Sequence, residues 1–235
     1  MRPKKIGIRD VAALAGTSVG SASRVINGAP DVTPEVRARV ERAVAALRYQ
    51  PNHAAQALRS RNSKTIGCMF SDVTNPLYAR AFRALEARFF AAGYMLLLAN
   101  GLNDAKREVN ILNTFQLRGM DGVIIAPGNE RDAAVLDAVQ QLTMPVVVYD
   151  RDMSVQADSV LYDHANGIRL AIDHLMAQGH TRIALVLWQA QSRAVRRRIE
   201  GYKAAFKAAG QPVPNLLIQG PTPTSSVYEA VTAML

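Results

Sequence analysis

The 235-residue sequence predicts two structural classes joined end to end: an all-α helix–turn–helix head and a doubly wound α/β body. Two observations carry this prediction. The first is the placement of charge. Residues 1–64 hold 12 of the 28 Lys and Arg but only 4 of the 19 Asp and Glu, a net of +8, against +1 for residues 65–235. The second is a change of hydrophobic period at Thr65, where short helical stretches give way to apolar runs alternating with amphipathic ones. A compact basic module on a nearly neutral body suits a polyanion-binding head, because neutralising phosphates releases condensed counterions.

Composition narrows the classes further. Hydrophobic residues make up 49% and charged residues 20%, which is ordinary globular usage and excludes general disorder. The single cysteine, Cys68, has no internal partner for a disulfide, as expected in a reducing compartment. The start, Met1-Arg-Pro-Lys-Lys5, resembles the basic end of an export signal, but Arg9 and Asp10 interrupt any apolar stretch. The apolar runs at 95–99 and 122–127 are too short to span a bilayer. These features predict a soluble, cytoplasmic, nucleoid-associated protein without membrane contact.

Residues 8–47 read as three short helices. Ile8, Val11, Ala12 and Ala15 follow helical spacing, and Gly16 supplies a turn. Ser18 is a good N-cap for the next segment, whose Ala22, Val25 and Ile26 share one face and leave Val19, Gly20, Ser23, Arg24 and Asn27 outside. Asn27-Gly28 ends it, and Thr33-Pro34 opens a third helix. This helix buries Val36, Val40, Val44 and Leu47 while Arg37, Arg39, Arg42 and Arg48 stay wet. Two helices around one tight turn let the second lie in the major groove of DNA. Arg24 suits bidentate contact with guanine, and Ser23 or Asn27 suit phosphate or base. A plain three-helix bundle with a solvated basic face is the other reading.

Residues 52–60 are helix-prone but too short to be stable alone in water. They read either as a helix that forms against a copy of itself or DNA, or as a basic linker whose Arg59, Arg61 and Lys64 touch phosphate. From Thr65 the predicted strands are 66–70, 94–99, 123–126, 146–149, 160–162 and 183–187. The predicted helices are 76–92, 104–117, 131–142, 167–178 and 194–209, with another beginning near Ser225. Such βα repetition implies a parallel sheet with right-handed crossovers, whose ligands sit beyond the carboxyl ends of the strands.

Three blocks, Ile8-Arg-Asp-Val-Ala-Ala-Leu-Ala-Gly16, Ser23-Arg-Val-Ile-Asn27 and Tyr49-Gln-Pro-Asn52, resemble the head of the LacI/GalR transcriptional repressors in order and spacing. Over the body, Asn75-Pro76, Gly119-Met-Asp-Gly-Val-Ile125, Tyr149-Asp-Arg151, His174-Leu175, Gly179-His180 and Arg198-Ile-Glu-Gly201 are similar to that family's regulatory domain. The resemblance implies a homodimeric, effector-controlled repressor with no cofactor, bound to double-stranded operator DNA. It places Ser18, Val19, Gly20, Ser23, Arg24 and Asn27 at DNA, with Val19, Gly20 and Arg24 at the base-reading positions. Asn52, Ala55 and Leu58 fall on its hinge, where Leu58 matches a residue that wedges into the minor groove. The body is expected to be periplasmic-binding-protein-like, two lobes closing on a sugar or sugar acid, with Asp150, Asp163, Arg198, Asn75 and Tyr78 as effector contacts. Asp150 and Asp163 also fit as helix caps, and Arg198 as an exposed helical arginine.

The corresponding domains are a head at 1–49, a hinge or linker at 50–64, a first effector lobe at 65–162 and a partial second lobe at 163–235. Members of this family continue for roughly another hundred residues, in keeping with two lobes of ordinary domain size. The sequence therefore predicts an incomplete second lobe, with exposed sheet edges and uncovered apolar faces. Other departures are Thr17, Ala22 and Gly20, the last weakening its helix by roughly 1 kcal/mol relative to Ala. Leu187-Trp-Gln-Ala190 replaces a small-residue turn, so Trp188 either stacks on a ring or plugs the lobe. The run Arg193, Arg196, Arg197, Arg198 fits either an anionic effector or a solvated helix start. Two rival functions stand beside the repressor: a small-molecule binding protein without operator function, and an α/β enzyme with an unrecognised site. Against the enzyme, the sequence carries no phosphate loop, dinucleotide glycine fingerprint or zinc motif.

Overall fold

The computed structural model describes residues 6–50, 62–188, 192–220 and 231–232, and the chain divides into two units, Met1–Ser63 and Lys64–Leu235. In the first, α1 (Ile8–Leu14), α2 (Val19–Ile26) and α3 (Pro34–Leu47) enclose a small core. Val11, Ala12, Ala15, Ala22, Val25, Val40 and Ala43 are all buried in it. Four alanines among these seven let the helices approach closely. Gly16 turns the chain at φ +59°. The Ser18 Oγ accepts from the Ser21 amide at 3.1 Å to start α2, and Thr33 with Pro34 starts α3.

Two of the arginines expected to stay in water also tie down carbonyls outside their own helix; Arg39 remains exposed as expected, while Arg37 is half-buried. Arg39 donates from Nε to the Ala15 carbonyl at 2.9 Å and from Nη2 to the Gly16 carbonyl. Arg37 donates to the Ala29 carbonyl at 2.6 Å. They satisfy carbonyls that the ends of α1 and the α2–α3 loop would otherwise leave open.

The second unit is built on a five-stranded sheet of β1 (Thr65–Phe70), β2 (Met95–Asn100), β3 (Gly122–Ala126), β4 (Val146–Tyr149) and β5 (Asp158–Val160). Its order is β2-β1-β3-β4-β5 and every neighbouring pair is parallel. The helices α4 (Pro76–Ala91), α5 (Ala105–Leu117) and α6 (Ala133–Gln140) make the crossovers. Side chains alternate across the sheet, as strand geometry requires. Cys68, Phe70, Ile124 and Tyr149 pack with Tyr78 of α4, while Met69, Ile125 and Val148 pack with Leu112 and Phe115 of α5 and Val135 of α6. Both faces are thus covered, as in a doubly wound fold.

Beyond β5 come α7 (His164–Ala177), β6 (Leu185–Trp188), α8 (Arg193–Ala208) and β7 (Leu217–Gly220). β6 and β7 pair in parallel. Ile172, Ile183, Leu187, Val195, Tyr202 and Phe206 form the core here, and the Tyr202 hydroxyl donates to the Ile183 carbonyl at 2.7 Å. α7 and α8 meet at Gly201, where a Cβ would lie 2.1 Å from the Ala165 carbonyl oxygen.

The strand expected at 160–162 sits at 158–160. Val147, Val148 and Tyr149 pair with Asp158, Ser159 and Val160, and the ladder stops because Asp150 turns the chain at φ +53°. The strand expected at 183–187 begins at Leu185, since its partner begins at Leu217. β7 has no counterpart among the predicted strands, its apolar run being too short to register. The helix expected near Ser225 lies outside the described residues. β2 and β5 form the edges of the five-stranded sheet, and Met95, Leu97, Leu98 and Val160 are exposed along them.

Candidate functional site

The predicted site residues fall into two groups, one in each unit. In the head, the outer face of α2 carries Val19, Gly20 and Arg24, all exposed. Gly20 has open space where a Cβ would stand, its nearest neighbour being the Ser18 Oγ at 3.7 Å. Ser18 spends its hydroxyl on capping the helix. The Asn27 amide donates to the Ser23 Oγ at 3.3 Å, so these two act as a pair on one turn. Arg24 makes an ion pair with Asp31 of the α2–α3 loop, a partner that sequence spacing does not suggest. Asn52, Ala55 and Leu58 lie outside the described residues.

In the α/β unit, the carboxyl ends of β1, β3 and β4 converge with the starts of α7 and α8 in a polar cluster. Asp150 is its centre. The residue is 2% exposed and adopts a left-handed backbone conformation, which Asp tolerates better than most side chains. His164 Nε2 contacts both of its carboxylate oxygens, at 2.7 and 2.9 Å. The Arg193 Nη1 is 3.8 Å away, and the Tyr162 amide donates to Oδ1 at 3.4 Å. Arg193 also donates to the Tyr162 carbonyl at 2.8 Å.

Arg151 spans the strand ends. It is buried, and it donates to the Pro127 carbonyl at 2.6 Å, the Asp150 carbonyl at 3.0 Å, the Tyr78 hydroxyl at 2.7 Å and Ser71 Oγ at 3.4 Å. Tyr78, stacked on Phe70, accepts these bonds and so keeps its own hydroxyl proton for a further acceptor. Arg196 donates to Glu130 at 2.6 Å, and the other oxygen of this buried carboxylate accepts from the Asp152 amide. Burial lowers the pKa of the Arg198 guanidinium, an effect partly offset by Asp150 and Tyr78, which places Arg198 in the same electrostatic field. Burial likewise raises the Tyr149 phenol, whose oxygen lies 2.5 Å from that of Tyr162.

The predicted effector contacts divide into two sets. Asp150, Tyr78 and Arg198 belong to the cluster. Asn75 and Asp163 are helix caps: Asn75 Oδ1 accepts from the Leu77 amide at 3.0 Å, and Asp163 Oδ1 from the Asn166 amide at 3.1 Å. Asp163 is exposed. Sequence reasoning misses His164, Arg151 and Glu130 in these roles, and it offers Arg193 and Arg196 to an anionic effector without their protein partners. Their positions at strand ends and helix starts are legible, but their side-chain partners Asp150, Glu130 and Ser71 lie from 14 to 80 residues away in sequence. Trp188 contributes backbone to β6, and the two roles expected of its side chain fall outside what the structure describes. Among the described residues, no group of three His, Cys, Asp or Glu could hold a metal ion, and no helix is long and apolar enough to cross a membrane.

Comparison with known proteins covers both units. Residues 7–52 match the model for bacterial regulatory proteins of the lacI family, and residues 63–235 match that for periplasmic binding proteins and the sugar binding domain of the LacI family. The chain is 32% identical to the ribose operon repressor of Escherichia coli K12 over 88% of its own length, and spans 63% of that repressor. It is 30% identical to catabolite control protein A of Priestia megaterium, covering 98% of this chain and 70% of the relative. Among solved structures, the lac repressor dimer bound to operator and an anti-inducer superposes with a TM-score of 0.84 at 27% identity, covering 98% of this chain and 70% of that one.

Proposed function

The chain belongs to the LacI family of bacterial regulatory proteins, and on that premise we propose that it is a sequence-specific DNA-binding regulator, a repressor controlled by a small-molecule effector. The observation that carries this reading is the capped helix α2, whose outer face presents Val19, Gly20 and Arg24 from a head that holds the chain's excess positive charge. Such a helix docks by its N-terminal residues at base edges, while surrounding cations hold the phosphate backbone. Ser18 supports it as the cap, and Ser23 and Asn27 offer polar groups on the next turn.

The protein acts as a homodimer on a pseudo-palindromic operator, each copy reading one half-site. Residues 50–64 serve as hinge, with Asn52, Ala55 and Leu58 at the minor groove. The effector, a sugar or related metabolite, is held at the polar cluster by Asp150, Tyr78 and Arg198, where charged groups make strong hydrogen bonds to hydroxyls. Asn75 and Asp163 shape the site as caps. Lobe boundaries at 65–162 and 163–235 follow from this reading. Membership in a family of regulators favours it over the enzyme and transport alternatives.

Selection of preferred duplexes from random DNA, followed by mobility shifts at several salt concentrations, tests the proposal. A palindromic preference is expected. Leu58→Ala should weaken binding to the selected duplex far more than to random DNA, and an equal loss on both removes the wedge role. Absence of any sequence preference would overturn the regulator reading itself.

A further inference from the structure

The polar cluster holds more cations than anions. Arg151, Arg193, Arg196 and Arg198 gather around two buried carboxylates, Asp150 and Glu130, and a third buried acid, Glu108, lies in the field of Arg151. His164 contacts both oxygens of Asp150 and the Tyr162 amide adds a bond to Oδ1, so Oδ2 keeps a lone pair for a ligand hydroxyl. The nearby acids Asp152 and Asp163 are exposed at the rim. Arg151 is buried, and its bonds to Pro127, Asp150, Tyr78 and Ser71 all go to neutral oxygens rather than to a carboxylate. Arg193 reaches Asp150 only at 3.8 Å and gives its bond to a carbonyl.

Arg196 is the most telling. One terminal nitrogen is committed to Glu130, while the other, Nη1, is buried with no hydrogen-bond partner among the described residues. A buried guanidinium nitrogen without an acceptor is costly, and native proteins rarely leave one unless something else supplies the acceptor. The first turn of α8 adds to this. Its N-cap, Ser192, is buried and makes no side-chain capping bond, and Arg193 and Arg196 stand in the first turn of this helix, at its positive end.

We infer that the ligand of this cluster is anionic: a polyhydroxy compound bearing a carboxylate or phosphate, received by Arg196 and Arg193, while Asp150 takes its hydroxyls. The inference rests on the effector reading and names the chemistry of that same site. Planar guanidinium groups match either acid bidentately, so the cluster itself does not distinguish them. A neutral sugar would satisfy hydrogen bonds but leave the excess of positive charge in place.

The test uses the full chain and four probes at constant ionic strength: D-glucose, D-gluconate, D-glucose 6-phosphate and inorganic phosphate. At about 10 mM, gluconate or glucose 6-phosphate should raise the thermal unfolding midpoint by about 3 °C or more, and glucose by less than a third as much. A response to gluconate alone assigns a carboxylate, and a response to glucose 6-phosphate and inorganic phosphate assigns a phosphate. Arg196→Gln should weaken the responding anion about tenfold or more, as loss of a charged hydrogen bond predicts. Should Arg196→Gln fail to fold because Glu130 is left alone, Arg196→Gln with Glu130→Gln restores a neutral pair for the same titration. The inference is overturned if all three anions leave the midpoint within about 0.5 °C of the salt control, or if the anion response survives the loss of Arg196. If glucose alone binds and alters DNA affinity, the effector reading stands and the anionic ligand does not. If an anion binds through Arg196 without changing DNA affinity, the ligand chemistry stands and its role as effector falls.

Discussion

The head and the α/β unit use the same side chain in opposite ways. Arg24 of the head is exposed and paired with an exposed aspartate, a contact that water and salt weaken and that costs little to exchange for phosphate or a base. Arg151 of the α/β unit is buried and bonded to the ends of three strands, and no solvent can replace those bonds if the side chain is lost. Position relative to water therefore separates an arginine free to change partners from an organising one. Both regions are rich in arginine, so composition alone does not tell them apart.

Four measurements sharpen or break this contrast. Arg151→Met should have the largest effect, about 3 kcal/mol of lost stability, because it orphans the buried Pro127 and Asp150 carbonyls together. A loss below about 1 kcal/mol in denaturant unfolding would show that the strand ends do not depend on it. Arg24→Ala should next cost about 2 kcal/mol of discrimination at one base pair of the selected duplex and reduce the salt slope by about one, read by mobility shift.

The third concerns Glu108, the buried acid beneath the same loops, whose carboxylate accepts from the Gly128 amide at 2.8 Å. Burial raises its pKa from 4.5 to about 7. Between those two values the folded chain keeps a proton that the unfolded chain has released, so stability falls as pH rises across that window. Glu108→Gln should flatten this dependence and be roughly 1–2 kcal/mol more stable than the parent at about pH 8, with the difference vanishing near pH 4. Equal pH dependence in both proteins would remove Glu108 as its source. The smallest effect is that of Arg24→Ala on folding, within about 0.5 kcal/mol. A larger loss would mean that the Arg24–Asp31 pair braces the head.

Local chemistry made much of the fold legible. Ser18, Thr33-Pro34 and Asn75-Pro76 start helices where their capping preferences predict, and the apolar runs of β1 to β4 announce parallel strands, although β2 at the sheet edge leaves Met95, Leu97 and Leu98 exposed. The site was legible only in part. Asp150, Tyr78 and Arg198 were marked by the family resemblance, whereas the pairing of His164 with Asp150 and of Arg196 with Glu130 depends on contacts that no local period encodes. Asp163 shows the converse. An acid before a helix looks the same in sequence whether it holds a ligand or an amide, and in this fold its Oδ1 accepts from the Asn166 amide. Arg39 is exposed, as its place on the polar stripe of a helix predicts, but the carbonyl it ties down 24 residues away is not written in that stripe.

Gly201 has a mechanical consequence. With the Ala165 carbonyl occupying the space of any Cβ there, α7 and α8 are nested backbone to backbone and cannot slide past one another by a residue. His164 begins the one helix, and Arg193, Arg196 and Arg198 lie along the first turns of the other. His164, which contacts Asp150, and the three guanidinium groups are therefore held at a fixed spacing by one backbone contact, so a change that displaces either helix displaces all four.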